Sequence, residues 1–370
     1  METDLARRVI PALEAVVSRI LPGATLLSAE PFGVDDAEVL DPATTKGLGY
    51  GVPLRLRVRE ADGTERSLVF HTAKPDQFGH DRRADRAAEL LLAFDRFERI
   101  PDHVHALDVG AVAKNGRDLI SLGDAGEFYL VTSFAEGHLY ADELRRIAQR
   151  GATTADDVAH AEALARHLVT IHAEKLDAPQ RYQRALRDLV GSGEGIFGLL
   201  DAYAPDVPAA PPERLMGIER RLTDWRWRLK AQSARLCRTH GDYHPFNVVF
   251  SDAGQIALLD ASRGCAGDPA DDVTCMAINY VFFAVEHPGT WATAFRDLWH
   301  RFWRVYLEAS ADRELFAVCA PFLAWRGLVV ANPVWYPHVD GPARDRVFRL
   351  IERTLAAERF DPGFADEVFA

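Results

Sequence analysis

His240-Gly241-Asp242-Tyr243-His244-Pro245-Phe246-Asn247 runs without a break into Val248-Val249-Phe250, the turn residues Ser251-Asp252-Ala253-Gly254, and Gln255 to Leu259, ending at Asp260. Two short apolar runs around a polar, glycine-ended turn predict a β-hairpin. The hairpin returns Asp260 to the neighbourhood of Asn247. With a four-residue turn Phe250 faces Gln255, Asn247 faces Leu258, and Asp260 shares a sheet face with Asn247. A three-residue turn reverses that parity. An amide and a carboxylate oxygen at the open end of a hairpin, with Asp242 just upstream, suit a hard cation such as Mg2+. Phosphoryl transfer needs such an ion, and it needs a carboxylate to orient the incoming hydroxyl and take its proton. Asp242 is the candidate for that second task.

His-Gly-Asp, four residues, Asn, a hairpin, Asp, and then Gly267-Asp268-Pro269 resemble the aminoglycoside phosphotransferase and choline kinase family, the small-molecule branch of the protein-kinase fold. The combination is far more specific than any of its parts. The resemblance implies a bilobal α+β protein-kinase-like fold and ATP and Mg2+ as cofactors. It implies Asp242 as catalytic base, Asn247 and Asp260 as metal ligands, and His240 as support of the catalytic loop. Asp268 and Asp272 are expected to brace that loop and to start the next helix. Glu127-Phe128-Tyr129-Leu130-Val131-Thr132-Ser133-Phe134-Ala135-Glu136-Gly137 resembles the family's last strand of the first lobe and its hinge. There adenine is read by backbone groups near Ser133, Phe134 and Ala135. Leu164 to His172 resembles the helix that ends in a Leu-His or Ile-His pair.

Outward from this core the chain divides by character. Leu5, Val9, Leu13, Val16 and Ile20 recur at helical spacing before Leu21-Pro22-Gly23 stops the pattern. Val52 to Val58 alternates with period two, Ala61-Asp62-Gly63-Thr64 is turn chemistry, and Ser67 to Phe70 resumes an extended run, which predicts a hairpin. A helix over 81–97 and strands over 106–111 and 127–133 follow. From Ala135 onward helical patterns dominate: Thr154, three residues before Asp157, signals a helix start, and 271–285, 290–308, 313–331 and 343–357 also read as helices. The expected organisation is an N-terminal β-sheet lobe over 1–134 and a larger, mainly helical lobe over 135–370.

The first lobe departs from the family pattern. Kinases of this fold hold the nucleotide phosphates with a lysine on the third strand, paired with a glutamate on the following helix. Here Leu68-Val69-Phe70-His71-Thr72-Ala73-Lys74 puts His71 at the lysine's place and Lys74 three residues later, on the opposite face of an unbroken strand. Both remain candidates for the phosphate contact, with Glu89 as the partner on the helix. Lys46-Gly47-Leu48-Gly49-Tyr50-Gly51 supplies a glycine cluster ahead of the hairpin, and Gly47 and Gly49 are candidates for a phosphate-cradling turn. No G-x-x-x-x-G-K-[ST] run occurs, so a P-loop fold is not supported.

Composition narrows the partners. The 370 residues carry a net charge of -12 with basic residues scattered in pairs, which makes nucleic acid a poor partner. No apolar run approaches a membrane span, and Cys237, Cys265, Cys275 and Cys319 form no C-x-x-C pair, so a reducing cytoplasm is expected. The partner expected is a small-molecule hydroxyl acceptor. Three rivals stand beside this reading. A metal hydrolase would use His240 and His244 with Asp242 and Asp260; a catalytically weak nucleotide-binding regulatory module (a pseudokinase) would explain the missing phosphate lysine. A protein kinase would need Asp-Phe-Gly at Asp260, where the chain has Asp260-Ala261-Ser262-Arg263. For the acceptor pocket, Asn279, Tyr280, Phe282, Phe283, Trp325, Arg326, Asn332, Trp335 and Tyr336 form a candidate lining, of which Phe282, Phe283 and Trp325 read equally well as core. The resemblance to aminoglycoside-modifying enzymes implies that the acidic residues between Phe360 and Glu367 hold a cationic sugar; the residues alone read as a solvated tail.

Overall fold

The computed structural model describes residues 2–31, 53–73, 75–76, 78–261 and 263–369, with residues 2–9 described as backbone only. Lys46, Gly47, Gly49, Gly51 and Lys74 lie outside the described residues. The chain divides into two units, Met1–Thr132 and Ser133–Ala370.

In the first unit, helix α1 (Glu2–Ile20) precedes strands β1 (Thr25–Pro31), β2 (Leu54–Arg59) and β3 (Glu65–Phe70), which form one antiparallel sheet in the order β1-β2-β3. The period-two pattern predicts one buried face for β2, and Leu54, Leu56 and Val58 are buried while Arg55, Arg57 and Arg59 are exposed. Leu13 and Val17 of α1 close that face into a small core. Helix α2 (Arg83–Arg96) follows, then the two-stranded ribbon of β4 (Gly110–Val112) and β5 (Leu119–Ser121).

Two strand expectations need correction. The strand expected from residue 106 begins only at Gly110. The one expected over 127–133 is absent: no segment among the described residues takes up its ladder, and Tyr129, Leu130 and Val131 are 90%, 86% and 82% exposed. An apolar, β-prone run does not make a strand without a partner for its backbone.

The second unit is helical around a minor sheet. Strand β6 (His138–Leu139) leads into α3 (Tyr140–Arg150), α4 (Ala155–His172), α5 (Pro179–Gly191), α6 (Ile196–Asp201) and α7 (Pro212–Leu229). Strands β7 (Val248–Phe250) and β8 (Ile256–Leu258) complete a sheet of order β6-β7-β8. Then come α8 (Pro269–Glu286), α9 (Arg296–Ser310), α10 (Leu315–Val318), α11 (Ala320–Ala331), α12 (Gly341–Ala356) and α13 (Gly363–Phe369). The N-terminus of α4 is capped as its sequence predicts: Asp157 N donates to Thr154 Oγ1 at 3.3 Å and Thr154 N to Asp157 Oδ2 at 2.6 Å.

Helix α8 is the hub. Of its residues only Asp271 and Glu286 escape burial, as its near-continuous apolar sequence requires. Asp268 caps it by accepting from Ala270 N at 2.9 Å, and Pro269 occupies the first turn. Asp268 also accepts from Tyr182 at 2.8 Å and from Arg235, which bridges to Asp312 at 2.8 Å, so this helix start is tied to α5 and to the end of α9. Among the described residues no helix is long and apolar enough to cross a membrane.

The acidic C-terminal stretch is neither a solvated tail nor a free carboxylate cluster. It forms α13, which buries Phe364 and Ala365. Asp366 pairs with Arg296 and His300 at 3.0 and 2.7 Å, and Glu367 with Arg353 at 3.0 Å.

Candidate active site

The hairpin forms with a turn one residue shorter than the four-residue case. Phe250 pairs with Ile256 and Val248 with Leu258. Ser251 N donates to Gln255 O at 2.9 Å, which closes a three-residue loop. Gly254, at φ +73°, supplies the left-handed residue that such a loop needs. The parity is therefore the reverse of the four-residue case. Asn247 stands opposite Leu259, whose N–H donates to the Asn247 carbonyl at 2.9 Å. Asp260 adopts φ +48°, which breaks the strand at that residue, so sheet alternation does not extend to its side chain. Asn247 closes a one-turn 3-10 helix, Pro245–Asn247, started by His244.

His240 ties the two loops together. Its Nε2–H donates to the Leu259 carbonyl at 2.8 Å, and its Nδ1 accepts from Asp242 N at 3.2 Å. A carbonyl can only accept and a backbone N–H can only donate, which fixes the tautomer. Neither nitrogen retains a lone pair for a metal. The hydrolase rival thus loses His240 as a ligand, and among the described residues no group of three or more His, Cys, Asp or Glu side chains could hold a metal.

Beneath the loop sits Asp272, fully buried. Oδ2 accepts from His240 N and Oδ1 from Gly241 N, each at 2.7 Å. His172, at the C-terminal end of α4, donates from Nε2 to Asp272 Oδ2 at 3.1 Å and contacts the Tyr306 hydroxyl through Nδ1 at 2.8 Å. Burial works against the Asp272 charge, but the His172 and backbone donors outweigh it and hold the carboxyl below the usual range. The resemblance assigned Asp272 to bracing the loop, and it makes these two contacts to the loop's backbone.

Asp242 lies above this brace. Its Oδ1 accepts from Arg326 Nη1 at 2.8 Å and lies 3.6 Å from Arg263 Nη1; its Oδ2 lies 3.5 Å from His244 Nε2. Burial raises its pKa, yet His244, Arg326 and Arg263 together win and hold it well below the usual carboxylate range. Arg326 is only 5% exposed and also reaches Gly241 O at 2.9 Å and Asp271 Oδ1 at 2.7 Å. Burial and the neighbouring Asp272 charge keep the Asp271 carboxyl above its usual range in spite of Arg326.

Arg326 and Arg263 were not singled out as partners of Asp242 by sequence reasoning. Arg326 comes from α11, far along the chain, and no local pattern announces it. The other pocket candidates are mostly core: Asn279, Tyr280, Phe282, Phe283, Trp325 and Asn332 are buried, while Trp335 is 59% exposed.

Asn247 and Asp260 supply oxygens. Asn247 Nδ2 donates to the Asp242 carbonyl at 3.1 Å, so its Oδ1 is turned away from that bond. The exposed Asp260 carboxylate makes no hydrogen bond among the described residues. One amide oxygen and one carboxylate, joined through the Leu259–Asn247 backbone bond, fit an oxygen-preferring divalent ion.

Within the first unit, β3 ends at Phe70, so His71 stands just past the strand and is exposed. Glu89 on α2 lies 3.5 Å from His80 Nε2, a partner that the sequence reading had not named. Ser133 and Phe134 are exposed and Ala135 half-buried. The backbone groups of these three residues make no hydrogen bond among the described residues.

Comparison with known proteins places the chain. A glucosamine kinase matches in crystal form A at 16% identity over 97% of this chain and 100% of that one, with a TM-score of 0.43. Crystal form B matches at 20% identity over 56% of this chain and 57% of that one, with a TM-score of 0.41. The choline kinase LicA from Streptococcus pneumoniae matches at 13% identity over 93% of this chain and 97% of that one, with a TM-score of 0.33. Among curated proteins no match is found. A model of the phosphotransferase enzyme family matches residues 61–311, more than half of the chain. This chain therefore belongs to the phosphotransferase enzyme family.

Proposed function

We propose that the enzyme moves the γ-phosphoryl group of Mg-ATP to a hydroxyl of a small molecule, with Asp242 receiving the hydroxyl proton. The observation that carries this reading is the double anchoring of the Asp242 loop, by Asp272 from below and through His240 to Leu259 at the hairpin end. That anchoring holds the Asp242 loop at the end of the hairpin that carries Asn247 and Asp260, which supports the reading.

The alcohol oxygen bonds to the γ-phosphorus as the bond from that phosphorus to the β–γ bridging oxygen breaks. ADP leaves, and the alcohol proton passes to Asp242 and then to water. Arg326 holds Oδ1, and Oδ2, 3.5 Å from His244 Nε2, accepts from the alcohol. A carboxylate with so low a pKa is a weak base. In a loose phosphoryl-transfer transition state it suffices, because the proton departs late and the carboxylate mainly orients the hydroxyl. Asn247 Oδ1 and the Asp260 carboxylate would hold Mg2+, which supplies charge neutralisation at the phosphates. The free backbone of 133–135 supports adenine reading there, and His71, Lys74, Gly47, Gly49 and Glu89 are the candidates for the phosphate grip. Four free cysteines fit a cytoplasmic setting, and the net charge of -12 speaks against nucleic acid as acceptor.

The test is a panel of hydroxylated metabolites and antibiotics incubated with Mg-ATP and scored by mass spectrometry for a phosphorylated product. Phosphorylation that disappears in Asp242→Asn supports the reading. Binding of ATP with no product from any acceptor favours a nucleotide-binding regulatory module instead, and absence of ATP binding refutes both.

A further inference from the structure

The charges around Asp242 are already spoken for. Its own carboxylate faces Arg326 and Arg263, and Asp271 is bound to Arg326. An ammonium or quaternary amine is recognised by free carboxylates or by an open aromatic face. Trp325, one of the nearby aromatics, is covered by two guanidiniums, Arg326 at 3.8 Å and Arg263 at 4.8 Å from the ring centroid. The acidic residues of α13 are bound to Arg296, His300 and Arg353. On the Trp325 side of the base a cationic group would meet cations.

Arg263 is the less committed of the two guanidiniums. Its side chain is 28% exposed, and its buried Nη1 makes no hydrogen bond, lying 3.6 Å from Asp242 Oδ1. Its Nε donates to Glu194 at 3.3 Å, a glutamate whose own side chain is 71% exposed. A surface pair of that kind contributes little and gives way readily to a better anion. A guanidinium stacked on an indole and adjacent to the base is a pre-oriented fork for a carboxylate or a phosphate.

We infer that the alcohol phosphorylated at this site carries an anionic oxygen group, a carboxylate or a phosphate, near its reacting hydroxyl, and that Arg263 receives this group in place of Glu194. The inference rests on the reading of Asp242 as the base. It defines the acceptor class: an acidic polyol or sugar derivative.

The experiment compares charge-matched acceptors with Mg-ATP: glucose, glucuronate, glucose 6-phosphate and glucosamine, together with neutral, acidic and amine-bearing sets of smaller alcohols. The expected result is a higher kcat/KM for the anionic members, with the carboxylate and phosphate arms telling the two sources apart. Arg263→Gln raises KM for anionic acceptors about tenfold or more beyond its effect on neutral acceptors, the worth of a charge-assisted hydrogen bond. Arg263→Lys recovers part of that loss, and Glu194→Gln lowers KM. Thermal unfolding of each variant checks that it is folded. A preference for amine or neutral acceptors overturns the inference, as does an Arg263→Gln effect that is equal for neutral and anionic acceptors. Turnover that survives Asp242→Asn refutes the base assignment separately. If no alcohol of any charge is phosphorylated, that reading and this inference fall together.

Discussion

Asp272→Asn removes the charge under the catalytic loop while keeping the side chain's shape. The buried carboxylate accepts from His240 N and Gly241 N at 2.7 Å each and from His172 at 3.1 Å. An asparagine retains one acceptor oxygen. Its amide nitrogen faces either Gly241 N–H or both His240 N–H and the His172 donor, so at least one of those groups is left unpaired in the interior. Each hydrogen bond to an ionised acceptor contributes about 1.5–3 kcal/mol, and breaking a buried charged contact from one side costs about 3–5 kcal/mol. A loss of about 3–5 kcal/mol is expected, or about 10 °C in Tm for a domain of this size. The loop shift lowers kcat by about a hundredfold.

The pH dependence gives a second check on the same variant. Asp272 has a depressed pKa in the fold, so its contribution is present above the unfolded value of about 3.9 and is lost as pH falls through the folded value. The stability gap between wild type and variant is therefore full at pH 7 and narrows only below about pH 4. Urea unfolding at several pH values, followed beside phosphotransfer, measures both effects. A variant within about 1 kcal/mol of wild type, with kcat intact, would falsify the assignment of Asp272 as the loop's brace.

Asp242→Asn is expected to lower kcat by about 10²- to 10⁴-fold with the KM for ATP little changed; a retained kcat means that another group takes the proton. Because Arg326, Arg263 and His244 depress the Asp242 pKa, the base is ionised across the neutral range. The acidic side of the kcat profile should stay flat down to about pH 5, and a limb near pH 6 would contradict the assignment. Asp260→Asn should raise the Mg2+ concentration for half-maximal activity about tenfold or more, read by metal titration at fixed ATP. Arg235→Ala leaves the buried Asp268 and the Asp312 carboxylate without their shared partner, and about 3–5 kcal/mol should disappear in denaturant titrations. A change below about 1 kcal/mol would show that the tie between α8 and α9 is not needed for stability.

The parts of the fold that were legible in the sequence are those written locally. The Thr154-Asp157 cap, the Asp268-Pro269 start of α8 and the alternation of β2 each need only a few neighbouring residues to be read. Hairpin parity was not decidable from residue types, because it turns on one backbone choice, the left-handed Gly254. The run 127–133 looks like a strand by composition, but a ladder is a property of two segments. Arg326 was noticed only as a pocket residue, since what makes it a partner of Asp242 is the docking of α11 on α8. The carboxylates at the end of the chain misled for the same reason: their partners, on α9 and α12, are not sequence neighbours.

The bond from His240 to the Leu259 carbonyl has a consequence for how this hairpin can vary. It closes a ring around the hairpin at its base, and Leu259 N to Asn247 O closes a second, inner one. The chain between these closures reaches its exposed tip at Asp252, Ala253 and Gly254. Lengthening a loop that is already shut at its root adds little entropic cost. The tip is therefore a natural place for insertion, and a short peptide tag grafted there would report on the site without rearranging it.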